Sequence, residues 1–505
     1  MREHLPILVI IVPLLTALAV PLAARVKRIL AWYLTLISTA VSCGLSFDLL
    51  LTVMRTGKVS YWLSGWEPPW GIEYAVDYLN AFVLCIVTCL GFLVAVYARR
   101  SVEHEVEEHR TGVFYATYLL FVTGLAGIVI TGDIFNLYVF LEICSLAGYA
   151  LIAVGRKREA LVASYNYLIL GSLGAIFVLL GTGYLYMVTG SLNMADLAAR
   201  LPALYHSKVV QTAFAFFVIG LGIKVALFPL HTWLPNAYTY APSAVSAIMA
   251  ATGTKVAAYA FIRVMFTVFG TDFVIYRIHT TQILLVLSVV AILAGSVLAI
   301  AQTNIKKMLA YSSISQVGYI VLGIALLTPT GIKGSLLHIL NHALMKGCLF
   351  LVVGAVVYRT GLTSIEDFKG LGKKMPVSMA AFTVAALSMI GVPLTVGFVS
   401  KWYLVLAAIE TGLWPVVAVL LLSSLLMAVY FWRVIDNLYF VPAVEPAPEL
   451  RPSSASHSSN PHEVRDAPAL MLWPTVISAA LCVIFGIIPF LPLAVAEKAV
   501  SILLR

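Results

Sequence analysis

Apolar runs of helix length, separated by short polar connectors, make up this chain almost from end to end. A run of about 18 or more apolar residues is long enough to cross a bilayer as a helix. Such runs fall at residues 5–23, 29–53, 76–98, 113–131, 134–154, 161–188, 209–229, 242–264, 282–302, 308–328, 332–357, 376–411, 414–439 and 469–495. The pattern predicts an all-α polytopic membrane protein with about fourteen transmembrane helices. The twelfth run is too long for one crossing and holds Gly391, Pro393 and Gly397, so it reads as a broken helix. A second break follows the seventh run, at Phe228-Pro229-Leu230-His231-Thr232-Trp233-Leu234-Pro235. Irregular backbone at membrane depth survives only inside protein or beside water. Two interrupted segments in corresponding positions point to an inverted repeat with a site between them.

The connectors carry their own signals. Residues 56–73, with Trp62, Trp66 and Trp70, suit an outward loop at the membrane interface. Residues 440–468 are rich in Pro and Ser and read as a flexible cytoplasmic linker before the last span. No stretch fits a soluble domain.

Composition agrees with the pattern. The chain has 505 residues, 61% of them hydrophobic and 11% charged, against about 25% charged in soluble domains. The net charge of +9 lacks a basic patch interleaved with aromatics, so nucleic acid is not an expected partner. Topology accounts for the excess. Loops after odd-numbered spans hold eighteen Lys and Arg, and the opposite side, with both termini, holds ten, Arg263 and Arg277 among them. The positive-inside rule makes the odd loops cytoplasmic and sets both termini outside a cell (inner) membrane. The first run is followed, not preceded, by Arg25, Lys27 and Arg28, the reverse of a signal peptide. The six cysteines lie in apolar runs with no CxxC and no metal spacing, so they read as buried thiols. No catalytic site, metal site or cofactor motif is expected.

The four remaining lysines are the informative ones. Lys224, Lys255, Lys346 and Lys401 all lie within spans, where a charge costs roughly 2.5–3.5 kcal/mol on insertion scales. Glu142 sits inside the fifth run, and its expected partners are Lys224 and Lys255. Burial favours the neutral form of each group while their attraction favours the charged form, and a group balanced so can change protonation in a working cycle. A purely structural ion pair is the competing reading. In the eleventh run His338, His342 and Lys346 recur every four residues and share one helix face, a stripe suited to a proton wire. A zinc pair would need further ligands, and none is near in sequence. Lys401 follows the second break, and the apolar residues after it argue for depth. His231 and Lys306 are weaker candidates near predicted span ends. Asp48, Asp77 and Asp133 lie at boundaries, where solvation is expected.

The segments PLHTWLPNAYTYAPSAVSA, TKVAAYAFIRV, NIKKMLAYSSISQVGYI, NHALMKGCLFLVVGA and GVPLTVGFVSKWYL resemble the antiporter-like subunits shared by complex I, membrane-bound hydrogenases and Mrp-type multisubunit cation/proton antiporters. The resemblance covers roughly residues 75–440. It implies fourteen helices in two inverted five-helix repeats, each with a broken helix. The corresponding division is residues 1–112 for helices 1–3, 113–264 for the first repeat, 282–439 for the second and 469–505 for the last helix. It also implies roles: Glu142 and Lys224 as the proton-loading pair, Lys255 as the connecting lysine, His338 and His342 on the polar axis of a broken or distorted eleventh helix, and Lys401 at the outlet. Lys346, His231 and Lys306 join them as candidates.

This chain departs from the family pattern in two places. Pro235-Asn236-Ala237-Tyr238 stands where PDAH is common, losing an acid and a histidine, and Gln316 stands where histidine is common. The absence of a long C-terminal extension, with LEICSLAGYALIAVG and FKGLGKKMP, leans toward the D-type member of an Mrp-type Na⁺/H⁺ antiporter (Mrp D-like). The alternatives are a proton-pumping subunit of a complex I-like NADH-quinone oxidoreductase or hydrogenase, and a stand-alone secondary transporter. The expected partners are other integral membrane subunits, protons, Na⁺ or K⁺, and the lipid bilayer.

Overall fold

A computed structural model describes residues 4–277, 280–442 and 465–504. The predicted linker at 440–468 lies mostly outside the described residues. Among those described, thirteen helices are long and apolar enough to cross a membrane. The remaining crossing is the interrupted pair Pro376–Ile390 and Val396–Glu410, which completes the fourteen read from the sequence. The chain is thus a multi-pass integral membrane protein.

Burial separates the spans into a core and a periphery. The tenth span (Ile305–Ala325) and the eleventh (Pro329–Thr360) are buried almost throughout, as is the eighth (Ser243–Val268). The first (Leu5–Val26), second (Arg28–Thr56), sixth (Arg158–Thr189) and ninth (Thr280–Ile300) leave most of their apolar surface outward, as helices facing lipid do. Lys255, His338, His342 and Lys346 lie on two of the three buried spans, whereas Glu142, Lys224 and Lys401 come from the fifth, seventh and twelfth.

Small residues let the spans approach closely where the two halves correspond. In the fourth span (Thr111–Ile130) a Cβ on Gly124 would lie 2.7 Å from the backbone N of Cys144 in the fifth (Ile134–Ala153). In the ninth span a Cβ on Gly295 would lie 2.6 Å from the backbone N of Ser315 in the tenth. Glycine is what permits either crossing. The breaks correspond as well: counted as spans 4–8 and 9–13, each interrupted helix is the fourth of its five.

Three details differ from the sequence reading. The eleventh span is one unbroken α-helix of 32 residues; distortion falls instead on the eighth, which carries π turns at Met249–Gly253 and Arg263–Val268. The last apolar run is not one helix: the crossing ends at Ile487 and a separate helix, Phe490–Leu503, follows. Within that run Pro489 cannot continue the preceding hydrogen-bond ladder. Finally, of the six cysteines read as buried thiols, Cys43 and Cys89 are only half-buried, with their Sγ atoms 3.3 Å apart.

The loop at 56–73 folds with the start of the next segment as a short hairpin, β1 (Val59–Trp62) against β2 (Glu73–Val76). Its Trp62, Trp66 and Trp70 are exposed, as interface anchors are. Glu73 is tied down by Ser60, by Asn193 at 3.1 Å and by Lys58 at 3.5 Å. Burial alone would raise its carboxyl, but these donors hold it below the ordinary carboxylate value.

Candidate functional site

A helix that stops inside a membrane leaves carbonyl groups without partners, and each must be satisfied by protein. At the first break the helix Lys208–Val225 ends with Ala226 in the left-handed region, φ 61°. Leu227 N–H turns back to Gly222 O at 2.9 Å and Ala226 N–H to Ile223 O at 3.1 Å, the closure that commonly ends a helix. Trp233 Nε1 also donates to Ile223 O, at 2.9 Å, and its ring stacks on Tyr167 with centroids 4.0 Å apart. The chain then resumes as Trp233–Tyr240.

Lys224 stands in the last turn before this break. Its Nζ donates to Ser145 Oγ at 2.7 Å and lies 4.0 Å from Glu142 Oε1. Glu142 and Ser145 are three residues apart on the fifth span, hence on one face. The lysine side chain is 5% exposed and that of Glu142 25%, so the pair sits largely away from water. Glu142 Oε1 has no hydrogen-bond partner among the described residues. The ion pair is therefore a near contact, free to tighten or open. Of the two lysines expected as partners of Glu142, only Lys224 approaches it. Lys255, 1% exposed, instead donates to Ala250 O inside the π turn of its own span. The π turn supplies that acceptor, because widening the helix frees a carbonyl from the regular ladder.

The second break has the same backbone closure, Val392 N–H to Leu387 O and Gly391 N–H to Ser388 O, both at 3.1 Å, and adds a lysine to it. Pro376–Ile390 ends at Gly391, φ 95°, a conformation open to glycine at little cost. Lys401, on the far side of the break, reaches back. Its Nζ donates to Met389 O and Ile390 O, both at 2.8 Å, and to Ser424 Oγ at 3.2 Å. A cation on the carbonyl end of a helix is stabilised by both the hydrogen bonds and the dipole. The Nζ also lies 5.1 Å from the centre of the Tyr319 ring.

Tyr319 begins a stack that runs along the eleventh span. Its ring is 5.4 Å from His338, and His338 is 6.0 Å from His342, all nearly parallel. His338 Nδ1 is 2.9 Å from Ser400 Oγ. His338 Nε2 and both nitrogens of His342 have no partner among the described residues. Buried polar atoms are normally paired with protein or water, so these nitrogens are open to a water or a proton. Lys346 shares the face of the histidines but turns away, donating to Leu309 O at 2.7 Å and to Ser312 Oγ. It is tied to the tenth span, not joined to the stack.

The weaker candidates separate. His231 lies in the first break, stacked on Phe228 at 5.1 Å, with Nδ1 unpaired among the described residues. Lys306 is buried at the cytoplasmic end predicted from the charge count. It donates to Ser243 Oγ at 3.1 Å and Ala241 O at 3.2 Å. Glu105 accepts from Ser243 N–H at 3.0 Å and from Ser243 Oγ at 3.1 Å, so Glu105 and Lys306 meet through one serine. Sequence reading missed Glu105, whose only signal is its place at the end of an apolar run. It also missed the buried pair of Asp77 and Arg263. Their two contacts are both 2.9 Å, and Arg263 adds Asn80 Oδ1 at 2.7 Å. Asp77, expected to be solvated, caps the third span (Tyr78–Glu105) through Leu79 and Asn80. The Asp-x-x-Asn spacing before an apolar run could have shown that cap; Arg263 as its partner could not be read. Gln316, which replaces a commonly found histidine, donates to the thioether Sδ of Met427 at 3.3 Å.

The arrangement places a titratable cation at each break, two stacked histidines with three nitrogens unpartnered among the described residues, and one carboxylate at the first break. Comparison with known proteins gives the family and the fold. Residues 131–427 match the family described as NADH:quinone oxidoreductase/Mrp antiporter, transmembrane. The N subunit of NADH-quinone oxidoreductase from Desulforudis audaxviator is 48% identical over 491 residues, covering 96% of each chain. The D subunit of a Na⁺/H⁺ antiporter from Bacillus subtilis is 31% identical over 399 residues, 79% of this chain and 76% of its own. A solved chain of the Mrp complex from Dietzia sp. superposes with a TM-score of 0.89 at 26% identity, covering 100% of this chain and 98% of that one.

Proposed function

This chain belongs to the NADH:quinone oxidoreductase/Mrp antiporter family of membrane subunits, and from that premise we propose that it translocates protons within a quinone-oxidoreductase-type complex, as an N-like subunit. The observation that carries the proton-translocating role is the near contact of buried Lys224 with Glu142 at 4.0 Å, beside a helix break closed by protein groups. A proton taken up from the cytoplasmic side loads Lys224, passes by Lys255 and the His338/His342 stack, and leaves outward from Lys401. Opening and closing of the Glu142 contact gates the loading step. The excess of Lys and Arg in the odd loops supports a cell-membrane topology with both termini outside.

The choice of complex rests on likeness. Identity of 48% over 96% of both chains for the N-type relative favours it over the D-type reading, at 31% over a shorter span. Cation/proton antiport remains as a second reading, supported by the full-length superposition on an Mrp chain.

The test is acidification of inverted membrane vesicles holding the intact complex. With a quinone-reducing substrate, K224A is expected to lose the ΔpH and E142Q to lose most of it, while the subunits still assemble. Unchanged ΔpH in both would remove these residues from the pathway. Na⁺-dependent ΔpH with no reducing substrate would favour the second reading.

A further inference from the structure

Cys43 and Cys89 face each other across the second and third spans, with their Sγ atoms 3.3 Å apart. The two helices are pinned on either side of the pair. Ser46 Oγ lies 2.7 Å from Thr88 Oγ1, and Trp32 Nε1 donates to Ala95 O at 3.0 Å. The register that brings the sulfurs together is thus set by other contacts. A disulfide holds its sulfurs about 2.0 Å apart, so roughly 1.3 Å of side-chain movement would close one.

The other four cysteines are enclosed, and this pair is not. Cys85, Cys144, Cys348 and Cys482 are buried, and Cys85 Sγ, one turn before Cys89, donates to Ser46 O at 3.4 Å. From Leu79 to Gly91 every residue is buried except Cys89. Cys43 shares its helix face with Ala40 and Phe47, both exposed. Both cysteines stand near the middle of their spans, Arg28–Thr56 and Tyr78–Glu105. The pair therefore opens sideways at the depth of the hydrocarbon core, not toward either aqueous side. A thiol among apolar groups is ordinarily inert. Here either sulfur can donate its S–H to the other, which favours the thiolate on the acceptor, the form that reacts.

An oxidant that reaches this site must dissolve in hydrocarbon and take up two electrons and two protons, which is the chemistry of a tailed quinone. We propose that Cys43 and Cys89 are a redox site at which a membrane quinone converts two thiols into a disulfide, stapling the second span to the third. In the step both S–H bonds break and one S–S bond forms. The two electrons and two protons pass to the quinone, which leaves as the hydroquinone. The disulfide closes a loop that contains the hairpin of β1 and β2. Neither span carries a residue of the proposed proton pathway, so the redox site stands apart from that reading.

The experiment uses the intact complex in liposomes, reduced with tributylphosphine, freed of it, and given no reducing substrate. Samples are treated with decylubiquinone, with its hydroquinone, or with ferricyanide, which does not enter the bilayer. Free thiols are then blocked with N-ethylmaleimide, and peptides are mapped without reductant. Decylubiquinone is expected to raise the peptide linked through Cys43 and Cys89 roughly tenfold or more above the other two samples, with one hydroquinone formed per disulfide. C89S is expected to lose both signals, and C85S to match the native chain. If C89S does not assemble, C43A is measured the same way. Linkage by ferricyanide as strong as by the quinone would overturn access from the lipid side. No linkage by the quinone where iodine links the same pair would overturn the quinone as oxidant, and no linkage by either would overturn the pairing itself. K224A is expected to keep native linkage whatever its translocation, so loss of the proton pathway and loss of this site are read separately.

Discussion

The two helix breaks share one backbone closure and differ in what their lysine does. At the first, the lysine precedes the interruption, the backbone ends are closed by Leu227 N–H and the Trp233 indole, and Lys224 is left to side chains, Ser145 and Glu142. At the second, Val392 N–H and Gly391 N–H make the same closure, and the lysine, which follows the interruption, takes the next two carbonyls, Met389 O and Ile390 O. A lysine held by a carboxylate answers to the protonation and position of that carboxylate. A lysine held by fixed carbonyl dipoles does not. In the proposed pathway the first break thus suits a charge that is gated, and the second a charge that is received and released in a constant field.

Removing each lysine strains this contrast most. K224A and K401A are both expected to lose proton translocation by roughly a hundredfold or more, the span of one positioned proton carrier. They should part on stability. K401A leaves two buried carbonyls without their donor, at a cost of about 1–3 kcal/mol. K224A leaves Ser145 Oγ, which keeps its bond to Leu141 O at 2.6 Å, and Glu142, whose side chain is 25% exposed. Thermal unfolding of the assembled protein is expected to drop for K401A and to stay near native for K224A. Equal drops would remove the distinction between the breaks.

A smaller effect follows from the carboxylate. E142Q keeps the shape of the side chain and removes its charge, so loading loses a coupling of typically 1–3 kcal/mol. Translocation is expected to fall roughly tenfold, less than in K224A, with assembly intact. The smallest effect lies outside the membrane. The Glu73 carboxyl is held below its ordinary value, so its contribution to stability is present above the unfolded carboxylate pKa of about 4.3 and is lost as pH falls through the depressed folded value. Unfolding of E73Q is expected to lie below the native chain at neutral pH and to converge with it in acid.

What the sequence made legible follows from the range of each interaction. Spans are local in the chain and dictated by length and apolarity, so thirteen crossings and the break at Gly391 could be read directly. The burial of four lysines was legible for the same reason. Contacts that join distant segments were not. Asp77 and Arg263 are 186 residues apart, and nothing in either neighbourhood names the other. The site of helix distortion was misplaced because α and π turns share the same apolar pattern, so the shift from the eleventh to the eighth span leaves no periodic trace. Lys346 illustrates a further limit. Its spacing from His338 and His342 was right, yet a long side chain chose acceptors on the tenth span over its own helix face.

The proposed pathway makes Lys224 a carrier that gives up its proton, not a fixed charge beside Glu142. K224R separates the two, because a guanidinium keeps its positive charge and does not deprotonate in proteins. Proton translocation by the assembled complex carrying K224R is the measurement. Loss as complete as in K224A is the predicted result, and near-native translocation by K224R would contradict it.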